Sequence, residues 1–330
     1  KPASIITLPA IRPAAPAPMI AMSIPGLLWP LRGADRTWRR GGRSVAPDAA
    51  RGIMRALQTG PYSMHLTLES VTRVSPTARA FRFRSAKGAV PFAAGQFYRF
   101  VFEDDEGPFE RSYSLANHGA PDDVADLLIS EVEGGRATRV LWSAEPGLEV
   151  VATGPFGRLT LPEPLPERVI LVAASVGLAP FLPMFDELEG PLRDGRVRVV
   201  VIFGIRNPAE LLAADLLHRL QTLPGFELHV CYSREMPESA GPGDHPGYVQ
   251  DTLARVGVDG QSDVVLLCGN PPMVQACREL LNEQRFPRKR VRREPYVFAP
   301  RIEATRAVGP TDAERRLIAE KMVKHRRDQA

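Results

Sequence analysis

Two short segments of the sequence combine residue types that bind phosphate and aromatic rings. The first is Arg111-Ser-Tyr113-Ser114, where the arginine can pair bidentately with a phosphate and the tyrosine can cover an aromatic ring. The second is Gly135-Arg-Ala-Thr138, where a glycine and a hydroxyl open a short helical pattern. Because backbone amides at a helix start attract phosphate, the two segments together suit a nucleotide-like cofactor.

A third segment, Val176-Gly177-Leu-Ala-Pro180, follows an apolar run that is typical of a buried strand. Gly177 allows a ligand to approach the backbone closely, and Pro180 is tolerated in the first turn of a helix. Ligands of open α/β sheets bind beyond the carboxyl ends of the strands, so this turn is a candidate nucleotide site. Taken alone, the same pattern also fits an ordinary turn from strand to helix.

The hydrophobic pattern predicts two kinds of element to position these segments. Between residues 64 and 162, short runs of β-branched and aromatic residues separated by Gly and Pro predict a six-stranded antiparallel β-barrel, with one helix over 136–142. After the proline-rich hinge Leu161–Pro166, continuous apolar runs alternate with helical patterns over residues 167–298. The expected fold class is therefore α+β, with a barrel domain followed by a doubly wound parallel α/β domain.

Within the second domain, the pattern predicts individual strands and helices. The predicted strands are 169–174, 197–203, 226–231 and 264–268. The predicted helices follow the first strand, span 208–220, lie near residue 250 and span 273–284. This alternation is what a parallel sheet requires.

The two ends of the chain differ in composition from this body. Residues 1–63 hold nine prolines and nine Lys/Arg against two Asp/Glu, which predicts a disordered or leader segment. Residues 299–330 are expected to form a C-terminal extension with a helix over 313–324. Because residues 64–298 hold 25 Lys/Arg against 31 Asp/Glu, the basicity belongs to the ends, and no nucleic-acid function is expected.

Cysteine usage and hydropathy exclude several classes of protein. Three scattered cysteines are too few for a disulfide scaffold or for an iron–sulfur cluster held by this chain, and no metal site is expected. A reducing compartment, the cytoplasm, is the expected location. No apolar run reaches the roughly 18 residues of a membrane span, so no such span is expected.

The ordered motifs resemble those of the ferredoxin–NADP reductase superfamily of flavoproteins, over about residues 64–298. The matching segments are Arg111-x-Tyr113-Ser114, Gly135-x-x-Thr138, Gly154-Pro-Phe-Gly157, Gly177-x-x-Pro180 and Cys268-Gly269. Five matches in the right order are more specific than any single one. The resemblance implies that the barrel binds FAD and that the α/β domain binds NAD(P).

The resemblance also implies a role for each matched barrel residue. Arg111, Gly135 and Thr138 would hold the flavin pyrophosphate. Tyr113 would lie on the flavin and its ribityl chain. Ser114 would lie near the reactive nitrogen of the flavin, which makes it a candidate catalytic residue.

In the second domain, the resemblance implies a nicotinamide site shaped by Gly177, Pro180 and Gly269. Cys268 would lie near the nicotinamide. Glu294-Pro-Tyr296 resembles the family's terminal Glu-x-Tyr, whose carboxylate lies near the nicotinamide and whose ring covers the flavin. Tyr296 could equally be a strand residue of the core. The candidate catalytic residues are therefore Ser114, Cys268, Glu294 and Tyr296.

Residues after two further strands bear on the choice of nucleotide. In NADPH-using members, a segment like Ser233-Arg234 is taken to bind the 2′-phosphate, and a tyrosine like Tyr248 to stack on the adenine. The chemistry agrees, because a dianionic phosphate calls for a guanidinium and a hydroxyl, whereas a ribose 2′-OH needs an acceptor. Arg206 could add positive charge. These four residues favour NADPH as the nucleotide, and NADH stays possible.

The sequence therefore predicts a flavin-dependent oxidoreductase that passes hydride from NADPH to FAD and then single electrons to an external carrier. A ferredoxin or flavodoxin is the expected partner. One alternative is the reductase component of a multicomponent oxygenase that uses NADH. Another is a flavin-binding electron-transfer or sensing module without pyridine nucleotide turnover. Ala174 and Ser175 permit the latter, because the family usually has two glycines before the position of Val176.

Overall fold

A computed structural model of the chain describes residues 62–296, which contain two six-stranded sheets. The predicted segment 1–63, apart from its last two residues, and the predicted extension 299–330 lie outside the described residues. The first strand begins at Tyr62, two residues before the predicted start of the barrel. Within residues 62–296, no helix is both long and apolar enough to cross a membrane.

The first sheet is antiparallel and is built from short strands rich in aromatic and β-branched residues. Its strands are β1 (Tyr62–Ser75), β2 (Ala78–Ser85), β3 (Phe97–Asp104), β4 (Gly107–Ser114), β5 (Val124–Ser130) and β6 (Glu149–Phe156). The order β4-β3-β6-β1-β2-β5 leaves β4 and β5 at the edges, and a bridge between Leu115 and Leu127 joins these edges at one point. The sheet therefore curls into a half-closed barrel, which confirms the predicted architecture.

The barrel core is filled by aromatic side chains and by one helix. Phe81, Phe83 and Phe100 are almost fully buried inside it. Helix α1 (Arg136–Trp142) confirms the predicted helix and adds the buried Leu141 to the same core. Burying a leucine of this kind contributes about 1.5–3 kcal/mol, which fixes α1 against the sheet.

The second sheet is parallel, and helices cover both of its faces. Its strands are β7 (Arg168–Ala174), β8 (Arg198–Ile205), β9 (Phe226–Tyr232), β10 (Asp244–Pro246), β11 (Asp263–Gly269) and β12 (Val291–Pro295), in the order β10-β9-β8-β7-β11-β12. Its helices are α2 (Leu182–Arg193), α3 (Ala214–Leu220), α4 (Val249–Val256) and α5 (Pro271–Glu283). Along β7, Val169 and Leu171 pack with α2 and α3, whereas Ile170 and Val172 pack with α4 and α5. This alternation confirms the doubly wound prediction.

The predicted helix over 208–220 is wrong in its first half. The structure has a 3-10 turn over Pro208–Glu210, after which Ala213 takes a left-handed φ of +52° before α3 begins. The carboxylate of Glu210 is nearly buried, at 8% exposure, and binds Arg206. Because a buried carboxylate must be paired, this contact competes with continuation of the helix.

The barrel and the parallel sheet are packed directly against each other. At Gly95, a Cβ would lie 1.8 Å from the carbonyl oxygen of Leu159 and 2.5 Å from the side chain of Met184 on α2. Only glycine fits there, since φ is also +97°. The amide of Gly119 donates to the Asp186 carboxylate of α2 at 2.8 Å. These contacts hold the edge of the barrel against the parallel sheet.

Candidate functional site

The ends of β4 and β12 meet at the boundary between the two sheets. Ser114, only 7% exposed, is the last residue of β4, and its hydroxyl donates to Oε1 of Glu294 at 2.8 Å. Burial raises the pKa of the Glu294 carboxyl, and the hydrogen bond from Ser114 opposes that shift. Two of the predicted site residues, far apart in sequence, therefore form one hydroxyl–carboxyl pair at this boundary.

Cys268 lies beside this pair on β11, where the register sets it opposite Glu294. Its side chain is fully buried, and burial raises the pKa of the thiol. A raised pKa keeps the thiol protonated at neutral pH, so it is a poor nucleophile or base. The predicted catalytic role of Cys268 stays a prediction, and its chemistry here is that of a small neutral packing group.

The turn after β7 is held closely against the end of β11. A Cβ at Gly177 would lie 2.3 Å from the carbonyl oxygen of Cys268, so no other residue fits without moving the backbone. The hydroxyl of Tyr296 donates to the carbonyl oxygen of Val176, and the amide of Tyr296 donates to the carbonyl oxygen of Gly269 at 2.8 Å. Tyr296 thus lies just after β12, and its two hydrogen bonds hold the turn after β7 against the end of β11.

The same turn begins with a residue in a strained conformation. Ser175 has a φ of +52°, in the left-handed region that residues with a Cβ rarely adopt. Its hydroxyl lies 3.2 Å from the hydroxyl of Ser130 at the end of β5. The side chain at position 175 therefore connects the turn to the barrel. Pro180 is buried in the 3-10 helix Ser175–Phe181 that forms this turn.

We expect Ser175→Gly to be more stable than Ser175→Ala by about 1 kcal/mol, because both remove the hydroxyl but only glycine relieves the left-handed strain. Urea unfolding of the two variants measures this difference, and Ser130→Ala isolates the hydroxyl contact. Equal stability of the glycine and alanine variants would rule out the left-handed conformation.

On the barrel, Arg111 and the start of α1 lie around the ring of Phe109. The guanidinium carbons of Arg111 and Arg136 are 5.1 Å and 4.3 Å from the centre of this ring. Arg136 is neutralised by Asp104, whose pKa it lowers to about 2. Within residues 62–296, the side chain of Arg111 bonds only the carbonyl oxygen of Glu110, at 2.7 Å. Arg111 therefore offers a cation that no carboxylate neutralises, which suits a phosphate.

The start of α1 supplies the other predicted phosphate contacts. Gly135 is the N-cap residue, and no side chain caps the helix. The hydroxyl oxygen of Thr138 accepts from the amide of Val132 at 3.0 Å, which leaves the hydroxyl proton for another acceptor. A Cβ at Gly135 would lie 3.0 Å from the carbonyl oxygen of Val132, so this tight turn favours glycine.

Tyr113 completes the barrel part of the site. Its ring packs edge-on against Phe100 and Phe102, with centroid distances of 5.9 Å and 6.3 Å, and burial raises the pKa of its hydroxyl. An uncharged aromatic ring, an unneutralised guanidinium and a glycine–hydroxyl turn are the groups that a flavin dinucleotide needs. The residues present therefore fit FAD.

The residues predicted to select the nucleotide lie at the carboxyl edge of the parallel sheet. The amide of Arg234, after β9, donates to the carbonyl oxygen of Arg206, after β8, at 3.0 Å. Ser233 directly precedes Arg234, whose side chain is exposed. Tyr248 follows β10, the parallel neighbour of β9, and is 61% exposed. The structure thus brings these four residues to one edge.

The guanidinium of Arg206 already makes hydrogen bonds within the protein. It makes two hydrogen bonds to Glu210, the longer one 2.9 Å, and a third to the hydroxyl of Thr77 on the barrel at 3.0 Å. The phosphate role predicted for Arg206 would have to compete with this ion pair. Sequence reasoning missed Glu210 and Thr77, although the i,i+4 spacing of Arg206 and Glu210 is a signal for the ion pair.

Two family models match the chain. One is the oxidoreductase FAD-binding domain over residues 65–161, and the other is the oxidoreductase NAD-binding domain over residues 171–279. Ferredoxin–NADP reductase B of Sorangium cellulosum is 32% identical over 252 residues, which cover 73% of this chain and 99% of that protein. The toluate 1,2-dioxygenase electron transfer component of Pseudomonas putida is 27% identical over 243 residues, which cover 73% of this chain and 68% of that protein.

A solved structure shares the fold described above. The ferredoxin NADP+ reductase of Neisseria gonorrhoeae superposes with a TM-score of 0.60 at 22% identity, covering 71% of this chain and 98% of that one. The order of the two matched domains agrees with the order of barrel and parallel sheet. The chain therefore belongs to the ferredoxin–NADP reductase superfamily of flavoprotein oxidoreductases, with an FAD-binding barrel followed by a pyridine-nucleotide-binding α/β domain.

Proposed function

We propose that this flavoprotein oxidises NADPH through FAD and delivers single electrons to a separate carrier protein, a ferredoxin or a flavodoxin. Bound FAD supplies the chemistry, because it takes a hydride from a reduced nicotinamide and can release the two electrons one at a time. The observation that carries the proposal is the meeting of Ser114, Glu294 and the Gly177 turn at the boundary of the two sheets.

In this proposal the barrel residues hold the flavin by its diphosphate. Arg111 pairs with a phosphate, and the hydroxyl of Thr138 and the amides that follow Gly135 bind another. Tyr113 covers the flavin ring. Glu294 orients the Ser114 hydroxyl, through the 2.8 Å hydrogen bond, at the end of the site that faces the nucleotide domain.

The nucleotide domain would position the nicotinamide. Gly177 lets the turn after β7 lie against Cys268 and Gly269 at the end of β11, so that the two segments can shape the nicotinamide site together, and Pro180 stiffens the turn. Cys268 provides an uncharged wall, since its thiol stays protonated. Tyr296 holds the turn through the Val176 carbonyl, and the place of its ring over the flavin stays a prediction.

Three features support NADPH over NADH. Arg234 is an exposed guanidinium that makes no side-chain hydrogen bond within the described part of the chain, and Ser233 adds a hydroxyl beside it. The exposed ring of Tyr248 can stack on an adenine. Glu210, an acid soon after β8, is bound by Arg206 and so is not available to accept from a ribose 2′-OH.

We expect Arg234→Ala to raise the KM for NADPH by about 10- to 100-fold, because a charge-assisted contact to the 2′-phosphate is worth about 1.5–3 kcal/mol. The KM for NADH should change less than about threefold. Initial rates of dye reduction with each nucleotide measure both values. Arg278→Ala, at a partly exposed position on α5, serves as the matched control. A parallel rise in both KM values would refute the assignment of this edge to the 2′-phosphate.

Two alternatives make different predictions. The likeness to a toluate 1,2-dioxygenase electron transfer component supports an NADH-using oxygenase reductase, for which NADH would have the lower KM. The strained Ser175 side chain in the nucleotide turn supports a flavin module without nucleotide turnover. Anaerobic stopped-flow mixing with either nucleotide distinguishes the proposed NADPH-using enzyme from both alternatives. Flavin that stays oxidised at millimolar NADPH and NADH would overturn the proposed enzyme.

The cysteines bear on where the protein works. Cys231, Cys268 and Cys277 are all buried and free. Buried free thiols support a reducing compartment, and the cytoplasm fits this requirement. Alkylation of the native and the denatured protein would count these thiols, and a disulfide in protein isolated from its source would contradict this location.

A further inference from the structure

Two histidines contact each other near the edge of the parallel sheet that carries Tyr248. His229 lies on β9, and His245 lies on β10, the three-residue strand at one end of the sheet order. Nδ1 of His229 and Nε2 of His245 are 2.9 Å apart, which is a hydrogen-bond distance. The function described above does not use this pair.

Arg255 decides which nitrogen of each ring carries the proton. A guanidinium nitrogen of Arg255, on α4, lies 3.2 Å from Nδ1 of His245. A guanidinium can only donate, so this Nδ1 accepts, and the proton of a neutral His245 ring is on Nε2. Nδ1 of His229 accepts that proton, and His229 carries its own proton on Nε2. Hydrogen bonds therefore run in one direction, from Arg255 through His245 to His229, and these three side chains are named here the histidine chain.

The charged groups around the histidine chain keep both rings neutral. Burial lowers the pKa of both histidines, and the positive charge of Arg255 acts in the same direction. The carboxylate of Glu227 opposes the shift at His229, and that of Asp244 opposes it at His245. Nε2 of His229 is buried and makes no hydrogen bond within the described residues, since Oε2 of Glu227 is 3.8 Å away.

The remaining titratable neighbours on β9 carry no charge. Burial raises the pKa of the Cys231 thiol, which donates to the hydroxyl of Thr252 on α4 at 3.2 Å. Burial also raises the pKa of the Tyr232 hydroxyl, which donates to Asp244 at 2.9 Å. The same Thr252 hydroxyl accepts from Arg255 at 2.7 Å, which fixes the guanidinium at the start of the histidine chain.

The histidine chain connects the elements on both sides of Tyr248. The amide of Gly247, just after β10, donates to the carbonyl oxygen of Tyr232 at the end of β9, at 2.9 Å. Tyr248 follows and is the N-cap residue of α4, the helix that carries Arg255. The contacts from Arg255 to β10 and from β10 to β9 therefore set the place of Tyr248.

Strand β10 also ends the loop that carries Ser233 and Arg234. This loop runs over residues 233–243, from the end of β9 to the start of β10. Because β10 has only three residues, few backbone hydrogen bonds hold it to β9. The side chain of His245 is therefore an important part of what keeps this strand, and with it the end of the loop, in place.

A proton added to either ring breaks the histidine chain. On Nδ1 of His229 it would face the N–H of His245 across 2.9 Å, and on Nδ1 of His245 it would face the guanidinium of Arg255 across 3.2 Å. Either proton replaces a hydrogen bond by two donors that repel each other. Since the pKa of both rings is lowered in the folded protein, the histidine chain is intact above about pH 6.5 and is lost as the pH falls.

We infer that His229 and His245 are positioning residues for the pyridine nucleotide, because their hydrogen bonds hold β10, Tyr248 and the loop of Arg234 in the arrangement that binds it. This inference rests on the proposed function, in which Tyr248 stacks on the adenine and Arg234 binds the 2′-phosphate. The histidine chain does not touch the reacting atoms. We therefore expect it to control the affinity for the nucleotide and not the rate of hydride transfer.

The test is the double variant His229→Asn/His245→Gln in the oxidised full chain. Both new side chains stay neutral at all working pH values and can keep an N–H to oxygen hydrogen bond. The Kd for NADP+ is measured by equilibrium titration at about pH 8 and about pH 5. We expect its rise between these values to be about three- to tenfold larger in the wild type, which loses a hydrogen bond, than in the variant. A 2′-phosphate takes up a proton near pH 6 in both proteins, so the difference between them reports the histidines.

Two further variants separate positioning from general effects. His65→Asn/His218→Asn removes two histidines at exposed positions of β1 and α3, and it should keep the wild-type ratio of Kd values. His229→Leu leaves the N–H of His245 without an acceptor, so its Kd at about pH 8 should rise about three- to tenfold. Its rate of flavin reduction at saturating NADPH should stay within about twofold of wild type. The single variant His229→Asn, which should lose part of the pH dependence, replaces the double variant if that one misfolds.

NMR spectra of isotopically labelled histidine nitrogens test the histidine chain without any nucleotide. At about pH 8 we expect both rings to be neutral with the proton on Nε2. A proton on Nδ1 of either ring would overturn the inference, as would equal pH dependence of the Kd in wild type and double variant, or an equal change in the control. A wild-type protein that binds NADP+ at neither pH would instead refute the proposed function, and the NMR spectra would still confirm or refute the histidine chain.

Discussion

Gly177→Ala will slow the reduction of the bound flavin by NADPH at least about 100-fold, while the protein keeps its flavin. The added Cβ would lie 2.3 Å from the carbonyl oxygen of Cys268, so the turn after β7 has to move away from β11. A displacement of about 1 Å in a positioning group costs about 100-fold in rate, and overpacking costs about 1–3 kcal/mol of stability. Anaerobic stopped-flow absorbance measures the rate.

The chain offers a matched control for this substitution. Gly190 lies within α2, and a Cβ there would meet no atom within 4 Å. Gly190→Ala should therefore keep the wild-type rate and add up to about 1 kcal/mol of stability, because alanine has the higher helix propensity. A wild-type rate in Gly177→Ala would contradict the placement of the nucleotide at this turn.

Arg111→Ala will bind FAD about 10- to 100-fold more weakly and will purify largely without flavin. Within residues 62–296, no carboxylate neutralises the guanidinium of Arg111, and this guanidinium lies beside the start of α1. Its loss removes a charge-assisted phosphate contact and one contact with the ring of Phe109, which Arg136 still covers, so the fold should persist. Fluorescence titration of the flavin-free protein with FAD measures the affinity.

Arg139→Ala is the control for the flavin site. Arg139 also lies on α1, but it is exposed and already paired with Glu106 at 2.9 Å. Its removal should change the affinity for FAD less than about threefold, as is usual for an exposed ion pair. Equal losses in Arg111→Ala and Arg139→Ala would mean that general charge, rather than a specific phosphate contact, sets the affinity.

Long, regular patterns made the architecture predictable from the sequence. The continuous apolar run of β7 and the helix at 136–142 stand where the sequence predicts them, because hydrophobic periodicity reports burial directly. β12 escaped prediction, since three of its five residues are charged and its pattern is not that of a buried strand. The break at Ala213 escaped too, because it depends on the pairing of Glu210 with Arg206.

The order of the motifs made the site residues predictable from the sequence, but it did not reveal their hydrogen-bond partners. The family resemblance predicts that Glu294 lies near the nicotinamide. It does not predict the hydrogen bond between Glu294 and Ser114, which joins residues from different domains. The contact of Ser175 with Ser130 is of the same kind. Such pairs depend on how the two sheets pack together, and neither local propensity nor spacing carries that information.

We infer that the barrel holds a flavin and that a pyridine nucleotide reduces this flavin across the boundary of the two sheets. The decisive experiment is the visible absorbance spectrum of the purified full chain, recorded before and after anaerobic addition of NADPH. We expect a yellow protein whose flavin absorbance bleaches on addition of NADPH. A protein that is colourless, and that stays colourless after incubation with FAD or FMN, would contradict it.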